Sequence, residues 1–510
     1  VTTFFPSFSY PRRWDVEPKR TEVNEMAERQ ILIDGQWVKG AGKSFSVVNP
    51  YSGEKVADVG AADAVQVEEA CAAAARAFAD YRRLPARRRA DVVRRLRDAV
   101  CEQREVLARI LVSQCGKPVT LARAEVDRCI QTLTVAAEIP NWLSGHQVPL
   151  DAAPNGENKL GLALREPLGP IAAITPFNYP LNLTAHKLGP ALAVGCTVVH
   201  KPASATPLDA FLLADVLGEL QETGELPAGT YNLVPGPGSD VGEPLCASEH
   251  LRAVTFTGSA EVGRWLTRHA GMKKLTMELG STAAAILCAD ADLADAVPRL
   301  PKGAFGFAGQ SCISLQRIFV QRSLVDDFTE RFLAETAKIN WGDPADEDVL
   351  VGPLISPAEL ERAQAWIGEA VDQGARLLTG NTRHGNVLTP TVLTDVTPTM
   401  KVAALEVFAP VVSIIPFDDL PSAIADVNRN PQGLNLSVFT ADLDRALDTA
   451  EALEAGTVLI NETPSWRVDL MPYGGVKDSG LGREGARYVA QELTEPKQII
   501  IRRRSRWDHP

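Results

Sequence analysis

The sequence predicts an α/β protein built on two mainly parallel sheets. Three observations carry that prediction. From residue 169 onward, short β-rich runs alternate with helical stretches, which is the texture of β-α-β units. The alternation starts again after residue 283. Between the two series lies a seam near 277–283, within KLTMELGSTAAAIL.

In chain order, residues 1–29 read as an irregular arm. ILIDGQWV (31–38) alternates around an Asp-Gly pair and reads as a hairpin. Residues 62–140 are helical in composition. ARRRADVVRRLRDAVCEQREVLARILVSQ reads as one run that stops at Gly116-Lys117-Pro118, a glycine and then a proline past a periodic stretch. EVDRCIQTLTVAAE starts another helix. Residues 146–167 contain Asn-Gly and read as a polar, projecting hairpin. PIAAITPF, TVVHKPA, GTYNLVPG and LRAVTFTGS are then strands separated by helices. After the seam come AAAILCAD, a helix near 293–308, RIFVQ, and helices at 323–338 and 357–374. A last set runs from VVSIIPF to GTVLINE. The terminal KQIIIRR reads as a lone strand without a local partner, of the kind that pairs with another subunit's edge.

Composition narrows the function. The chain has 510 residues, 45% hydrophobic and 23% charged, with a net charge of −12. That acidity argues against nucleic acid as a partner, and the basic stretch RRRSR (502–506) reads as a solvated tail or a subunit salt bridge. Eight cysteines without a C-x-x-C pair make neither a disulfide scaffold nor a zinc ribbon. Seven histidines without metal-ligand spacing leave no metal site. No run approaches the roughly 18 apolar residues of a membrane span. With reduced thiols and no signal-peptide core, the expected location is the cytoplasm.

Several segments carry candidate chemistry, each beside a plainer reading. FTGSAEVG (256–263) and PGPGSDVG (235–242) are both glycine turns. The first follows a strand and opens a helix, where free N–H groups and the dipole favour phosphate. Cys312 follows a Gly-Gln-Ser loop at the seam. A buried, inert cysteine is the common case, but a nucleophilic thiol needs such a loop and a lowered pKa. Glu278, between apolar runs, is either a salt-bridged edge residue or a general base whose pKa burial raises. Asn178, between Pro176 and Pro180, is either a turn residue or an amide donor to an oxyanion. Lys201 ends a strand, as a solvated lysine or a ligand contact.

TPFNYP, VVHKPAS, FTGSAEVG, MELGS, GQSC, EVFAP and MPYGGVKDSGLGREG occur in the order and spacing of the NAD(P)-dependent aldehyde dehydrogenase superfamily, and the 34-residue separation of Glu278 and Cys312 matches its spacing. The chain resembles that family from about residue 31 to 500. The resemblance implies a Rossmann-like cofactor domain (30–145 and 168–277) and a catalytic domain (278–482). It also implies a small β oligomerisation part (146–167 and 483–510), forming homodimers or homotetramers. It implies Cys312 as nucleophile, Asn178 with the Cys312 N–H as oxyanion donors, and Glu278 as the base that releases the acid. NAD or NADP is then the cofactor, with Lys201, Ser204, Gly242, Gly258, Ser259, Leu279, Glu406 and Phe408, together with Thr175, Pro176 and Phe177, around it. Departures from the family pattern are Ser281 after MELG, Ala409 in EVFAP, and Ser204 where NAD-preferring members carry glutamate. Serine removes the repulsion of a 2′-phosphate, and an alanine at positive φ would alter the 406–410 loop.

The substrate is expected to be a small anionic or polar aldehyde. Arg128, His186 and Arg467, with Arg123 as a weaker candidate, resemble the basic pattern of phosphonoacetaldehyde dehydrogenases. Those enzymes carry arginine before the nucleophile, where this chain has Ser311. The texture also resembles lactaldehyde dehydrogenases, and lactaldehyde or succinate semialdehyde is the alternative substrate. A CoA-acylating enzyme or a non-catalytic relative is disfavoured by the presence of Glu278 and Cys312.

Overall fold

The computed structural model describes residues 29–503. The arm, except Arg29, and the tail beyond Arg503 lie outside the described residues.

Among the described residues, the first sheet has eight strands. Ile171–Ile174, Val198–Lys201, Tyr231–Leu233, Ala253–Thr257 and Lys274–Glu278 form its parallel centre. These strands are buried almost throughout, without the polar alternation of a sheet that has one solvated face. The Asp34-Gly35 hairpin joins one edge antiparallel, through Leu32 opposite Leu233. Gly480–Leu481 returns from the far end of the chain to close the other edge. The second sheet has seven strands. Ala284–Leu287, Arg317–Gln321, Thr391–Thr394, Val411–Phe417, Asn435–Phe439 and Thr457–Ile460 are parallel, and Arg376–Thr379 adds an antiparallel edge. The sheets are thus mixed rather than purely parallel. The chain passes from one to the other between Glu278 and Ala284.

Four departures from the sequence reading have local causes. The run expected as one helix splits into Ala86–Glu102 and Arg104–Cys115 at Gln103, whose backbone leaves the helical region. The next helix begins at Val119, not Glu125, because Pro118 supplies the entry at φ −50°. The helix expected at 293–308 is two short ones, Leu293–Ala296 and Leu300–Phe305, followed by left-handed backbone at Phe307, Ala308 and Gly309. The terminal strand is not lone. Thr494–Arg502 pairs antiparallel with Lys159–Pro167 of the same chain, and His146–Val148 flanks the latter. Its partner is more than three hundred residues away, so no local pattern could reveal it.

The helix Pro180–Val194 is buried along its whole length. It carries Asn178 and Tyr179 at its start into the space between the two sheets.

Candidate active site

A cavity of about 660 Å³ opens at the carboxyl ends of three parallel strands of the first sheet. Pro176 to Tyr179 follow one strand, Thr257 to Ser259 another, and Glu278 to Gly280 a third. The 310–314 loop of the second sheet faces them.

That loop is held from several sides. The left-handed residues Phe307 (φ 52°), Ala308 (φ 53°) and Gly309 (φ 68°) turn it inward. A Cβ at Gly309 would lie 2.3 Å from the Ala409 carbonyl, so only glycine fits. Gln310 Nε2 donates to the Pro353 carbonyl at 3.1 Å, and its Oε1 accepts from Ile355 N at 2.8 Å. Beyond the loop, Ser314 Oγ donates to the Ala304 carbonyl (2.9 Å) and Leu315 N to that of Gly303 (3.0 Å).

Cys312 is half-buried, and its Sγ is 2.9 Å from the Tyr473 hydroxyl. Burial pushes its thiol up to about 12, against the lowering effect of the Tyr473 hydrogen bond. The lowered pKa expected of a nucleophile is therefore not built into the resting site: desolvation outweighs the one hydrogen bond. Asn178 is buried, and its Nδ2 donates to the Gln310 carbonyl at 3.1 Å. An amide nitrogen has two hydrogens, so one N–H remains to be donated. Glu278 is buried, and neither carboxyl oxygen has a hydrogen-bond partner. Burial, and then Glu484, hold its pKa well above the carboxylate range, opposed by Arg467 and Lys187.

The residues expected at a cofactor fall into two groups. Pro176, Phe177, Gly258, Ser259, Leu279, Glu406 and Phe408 line the cavity. Ser259 caps the helix Ala260–His269 through Val262 N, and the buried Thr257 Oγ1 beside it has no partner. Glu406 accepts from Ser281 N at 3.0 Å, and burial raises its pKa to about 7. A Cβ at Gly280 would meet Glu406 at 2.2 Å, so the glycine makes room for this carboxylate. The positive φ in the EVFAP loop falls on Phe408 (52°), whose ring meets Phe177 edge-on, and not on Ala409. Alanine therefore carries no strain there. Lys201, Ser204 and Gly242 lie outside this cavity. Lys201 is buried, lowered to about 8 by desolvation, with its Cε 3.9 Å from where a Gly242 Cβ would be. Ser204 Oγ donates to the Gly236 carbonyl at 2.9 Å. Thr175 does not line the cavity either; its hydroxyl contacts His200 Nε2 at 3.1 Å. An orphaned hydroxyl, an opened glycine cradle and a capped helix start fit a dinucleotide.

Of the basic residues, Arg128 and Arg467 line the cavity and Ser311 joins them. Both arginines are already paired. Arg128 binds Asp469 through two bonds of 2.7 and 3.0 Å, and Arg467 binds Glu484 at 2.8 Å while lying 3.6 Å above the Tyr473 ring. Arg467 Nε is buried without a hydrogen-bond partner, 3.8 Å from Asp469. Two expected contacts are displaced. His186 is fully buried behind the wall, with Nε2 2.9 Å from Asp469 and 3.2 Å from Arg467. Arg123 points away, into ion pairs with Glu105 and Glu347. The helix from Val119 turns Arg128 inward and leaves Arg123, five positions earlier, on another face.

Sequence reasoning missed Tyr473, Asp469, Lys187 and Glu484. Tyr473 stands in the quoted MPYGG segment, but nothing local marks it as the thiol's neighbour. Asp469 is buried between exposed Val468 and Leu470, the reverse of what their polarity suggests, so the sequence held no signal for it. Burial, and then His186 and Arg128, act on Asp469 in opposite directions; the two partners win and hold it far below the carboxylate range. No group of three or more candidate metal ligands occurs among the described residues. Nor is any helix among them long and apolar enough to cross a membrane.

The model of the aldehyde dehydrogenase family matches residues 37–499. A 3-sulfolactaldehyde dehydrogenase of Priestia aryabhattai is 38% identical over 485 residues, covering 94% of this chain and 99% of that one. A lactaldehyde dehydrogenase of Methanocaldococcus jannaschii is 38% identical over 471 residues, covering 92% and 100%. A solved glyceraldehyde-3-phosphate dehydrogenase of the same archaeon, in complex with NADP, superposes with a TM-score of 0.87 at 38% identity, over 91% of this chain and 100% of that one.

Proposed function

Because the chain belongs to the aldehyde dehydrogenase family and is an NAD(P)-dependent oxidoreductase of small aldehydes, we propose that it oxidises a small anionic aldehyde to its carboxylic acid. The anion is a sulfonate, phosphate or phosphonate. The observation that carries this reading is the cavity itself. Cys312, Asn178 and Glu278 share it with Arg128 and Arg467, and the buried Arg467 Nε–H lacks an acceptor. The relatives that act on 3-sulfolactaldehyde and glyceraldehyde 3-phosphate, as their names state, support it.

In this reading Cys312 Sγ adds to the aldehyde carbon and its proton passes to a base. The free N–H of Asn178 and the Cys312 N–H take the developing oxyanion. Bound NAD or NADP supplies the two-electron oxidant for that carbon, which remains on Sγ as a thioester. Thr257 to Ser259, Leu279, Glu406 and Phe408 would hold the cofactor from the cavity side, with Lys201 and Ser204 beyond it. Ionised Glu278 takes a proton from water, hydroxide adds to the thioester, and the carboxylic acid leaves as the thiol is restored. A carboxyl buried without hydrogen bonds is a strong base once ionised, which favours hydrolysis over transfer to CoA. Residues 30–145 and 168–277 are assigned to cofactor binding and 278–482 to catalysis. The chain works as a homo-oligomer, a reading supported by the edge strand Thr494–Arg502, which carries exposed Ile499, Ile500 and Ile501.

A second reading, a neutral substrate such as lactaldehyde, is favoured by the internal pairing of both arginines. The matched substrates 3-sulfolactaldehyde and lactaldehyde, which differ only by the sulfonate, separate the two. Formation of reduced nicotinamide is measured with each. The anionic reading expects kcat/KM to favour the sulfonate at least tenfold and Arg467→Ala to reduce that preference. Equal values establish the second reading.

A further inference from the structure

We propose that Lys302, at the mouth of the cavity, is the residue that selects the anionic end of the substrate. The inference rests on the anionic reading above and names a contact that reading does not contain.

The argument is a charge inventory of the cavity wall. Four cations line it: Arg128, Lys302, Arg362 and Arg467. Three are neutralised in place. Arg128 pairs with Asp469 at 2.7 Å, Arg467 with Glu484 at 2.8 Å and Arg362 with Glu359 at 2.7 Å. Lys302 is exposed, and its ammonium has neither an ion pair nor a hydrogen bond among the described residues. An incoming anion therefore meets one uncompensated charge, and it is this one.

The position is tied to the reacting centre. Lys302 stands in the short helix Leu300–Phe305. Its neighbours Gly303 and Ala304 accept the bonds from Leu315 and Ser314 that anchor the Cys312 loop, so the helix is tied to the segment that carries the thiol. A Cβ at Gly303 would lie 2.7 Å from Ser465 Oγ, two residues from Arg467. Lys302 and the arginine wall thus border the same end of the cavity.

The rest of the wall sets the substrate's polarity. Buried Glu278 and half-buried Glu406 are the cavity carboxyls without a cationic partner in the wall, and both act on Cys312. With its carbonyl at Sγ, a substrate turns its anion away from them. Of the four cations in the wall, Lys302 is the exposed one, the others being half-buried. A lysine ammonium on a flexible stem suits a tetrahedral sulfonate or phosphate of variable distance, whereas the paired guanidinium groups are fixed.

The test measures kcat/KM for 3-sulfolactaldehyde and for lactaldehyde in wild type, Lys302→Met, Lys302→Arg and Lys302→Glu, with thermal melting to verify folding. The ratio of the two values is the readout. Lys302→Met should lower it about tenfold, the worth of one charge-assisted hydrogen bond, chiefly through the KM for the sulfonate. Lys302→Glu should lower it further, and Lys302→Arg should restore most of it. If wild type prefers the sulfonate and Lys302→Met keeps that preference, the proposal is overturned while the anionic reading stands. If wild type shows no preference, both are overturned.

Discussion

Replacing Lys117 with methionine should be among the most damaging single changes outside the cavity lining. Lys117 and Glu125 form an ion pair with both side chains fully buried. Glu125 Oε1 also accepts from Leu181 N and Asn182 N, at 3.1 and 3.2 Å, and so caps the start of the helix Pro180–Val194. Lys117 Nζ sits 3.7 Å from the centre of the Tyr179 ring and 4.6 Å from that of Phe307. One ammonium thus braces the turn that carries Asn178 and the left-handed run that leads to Cys312. Methionine matches the stem but removes the charge and leaves Glu125 buried alone. Breaking a buried pair from one side costs about 3–5 kcal/mol. Glu125→Gln in the same background removes the orphaned charge, and its amide oxygen still accepts the two N–H groups. The double variant should therefore recover about half of the loss. Urea unfolding gives the total, and hydrogen exchange at Leu181 and Asn182 shows whether the helix start is where it falls. A Lys117→Met loss under about 1 kcal/mol, or a double variant as unstable as the sum of the singles, would refute the reasoning.

Two further predictions concern the chemistry. Because burial pushes the Cys312 thiol up to about 12, its alkylation by iodoacetamide in the cofactor-free enzyme should rise about tenfold per pH unit from pH ~7 to ~9 without a plateau; Tyr473→Phe should slow it at every pH, and a plateau below pH ~8 would contradict the assigned cause. Glu278→Gln should still release about one equivalent of reduced nicotinamide in a burst, while steady turnover falls by about 10²–10⁴; unchanged steady turnover would remove Glu278 from the hydrolytic step.

Much of this molecule was legible in order along the chain. The α/β alternation, the Asp34-Gly35 hairpin, the seam between Glu278 and Ala284 and the strand–turn–helix at Gly258 are local patterns, encoded by residues within a few positions of one another. Helix continuity was less legible. Gln103 has no sequence mark as a break, and the left-handed turn at Phe307–Gly309 is imposed by packing against the Ala409 carbonyl and the Leu350 carbonyl that binds Phe307 N.

By itself the sequence determined the α/β fold class, the family motifs and the order in which Asn178, Glu278 and Cys312 occur, because hydrophobic period and motif spacing are properties of the chain. Tertiary structure alone decided which charges remain available. Arg128, Arg467 and His186 read alike as candidate anion contacts. Their fates were decided by folding: Asp469, far away in sequence, pairs with Arg128 and meets His186, Glu484 pairs with Arg467, and the helix buries His186 behind the arginines. It also decided that the terminal strand pairs with Lys159–Pro167 and that desolvation raises the Cys312 thiol. Burial and ion pairing depend on distances between residues hundreds of positions apart, and such distances exist only once the chain has folded.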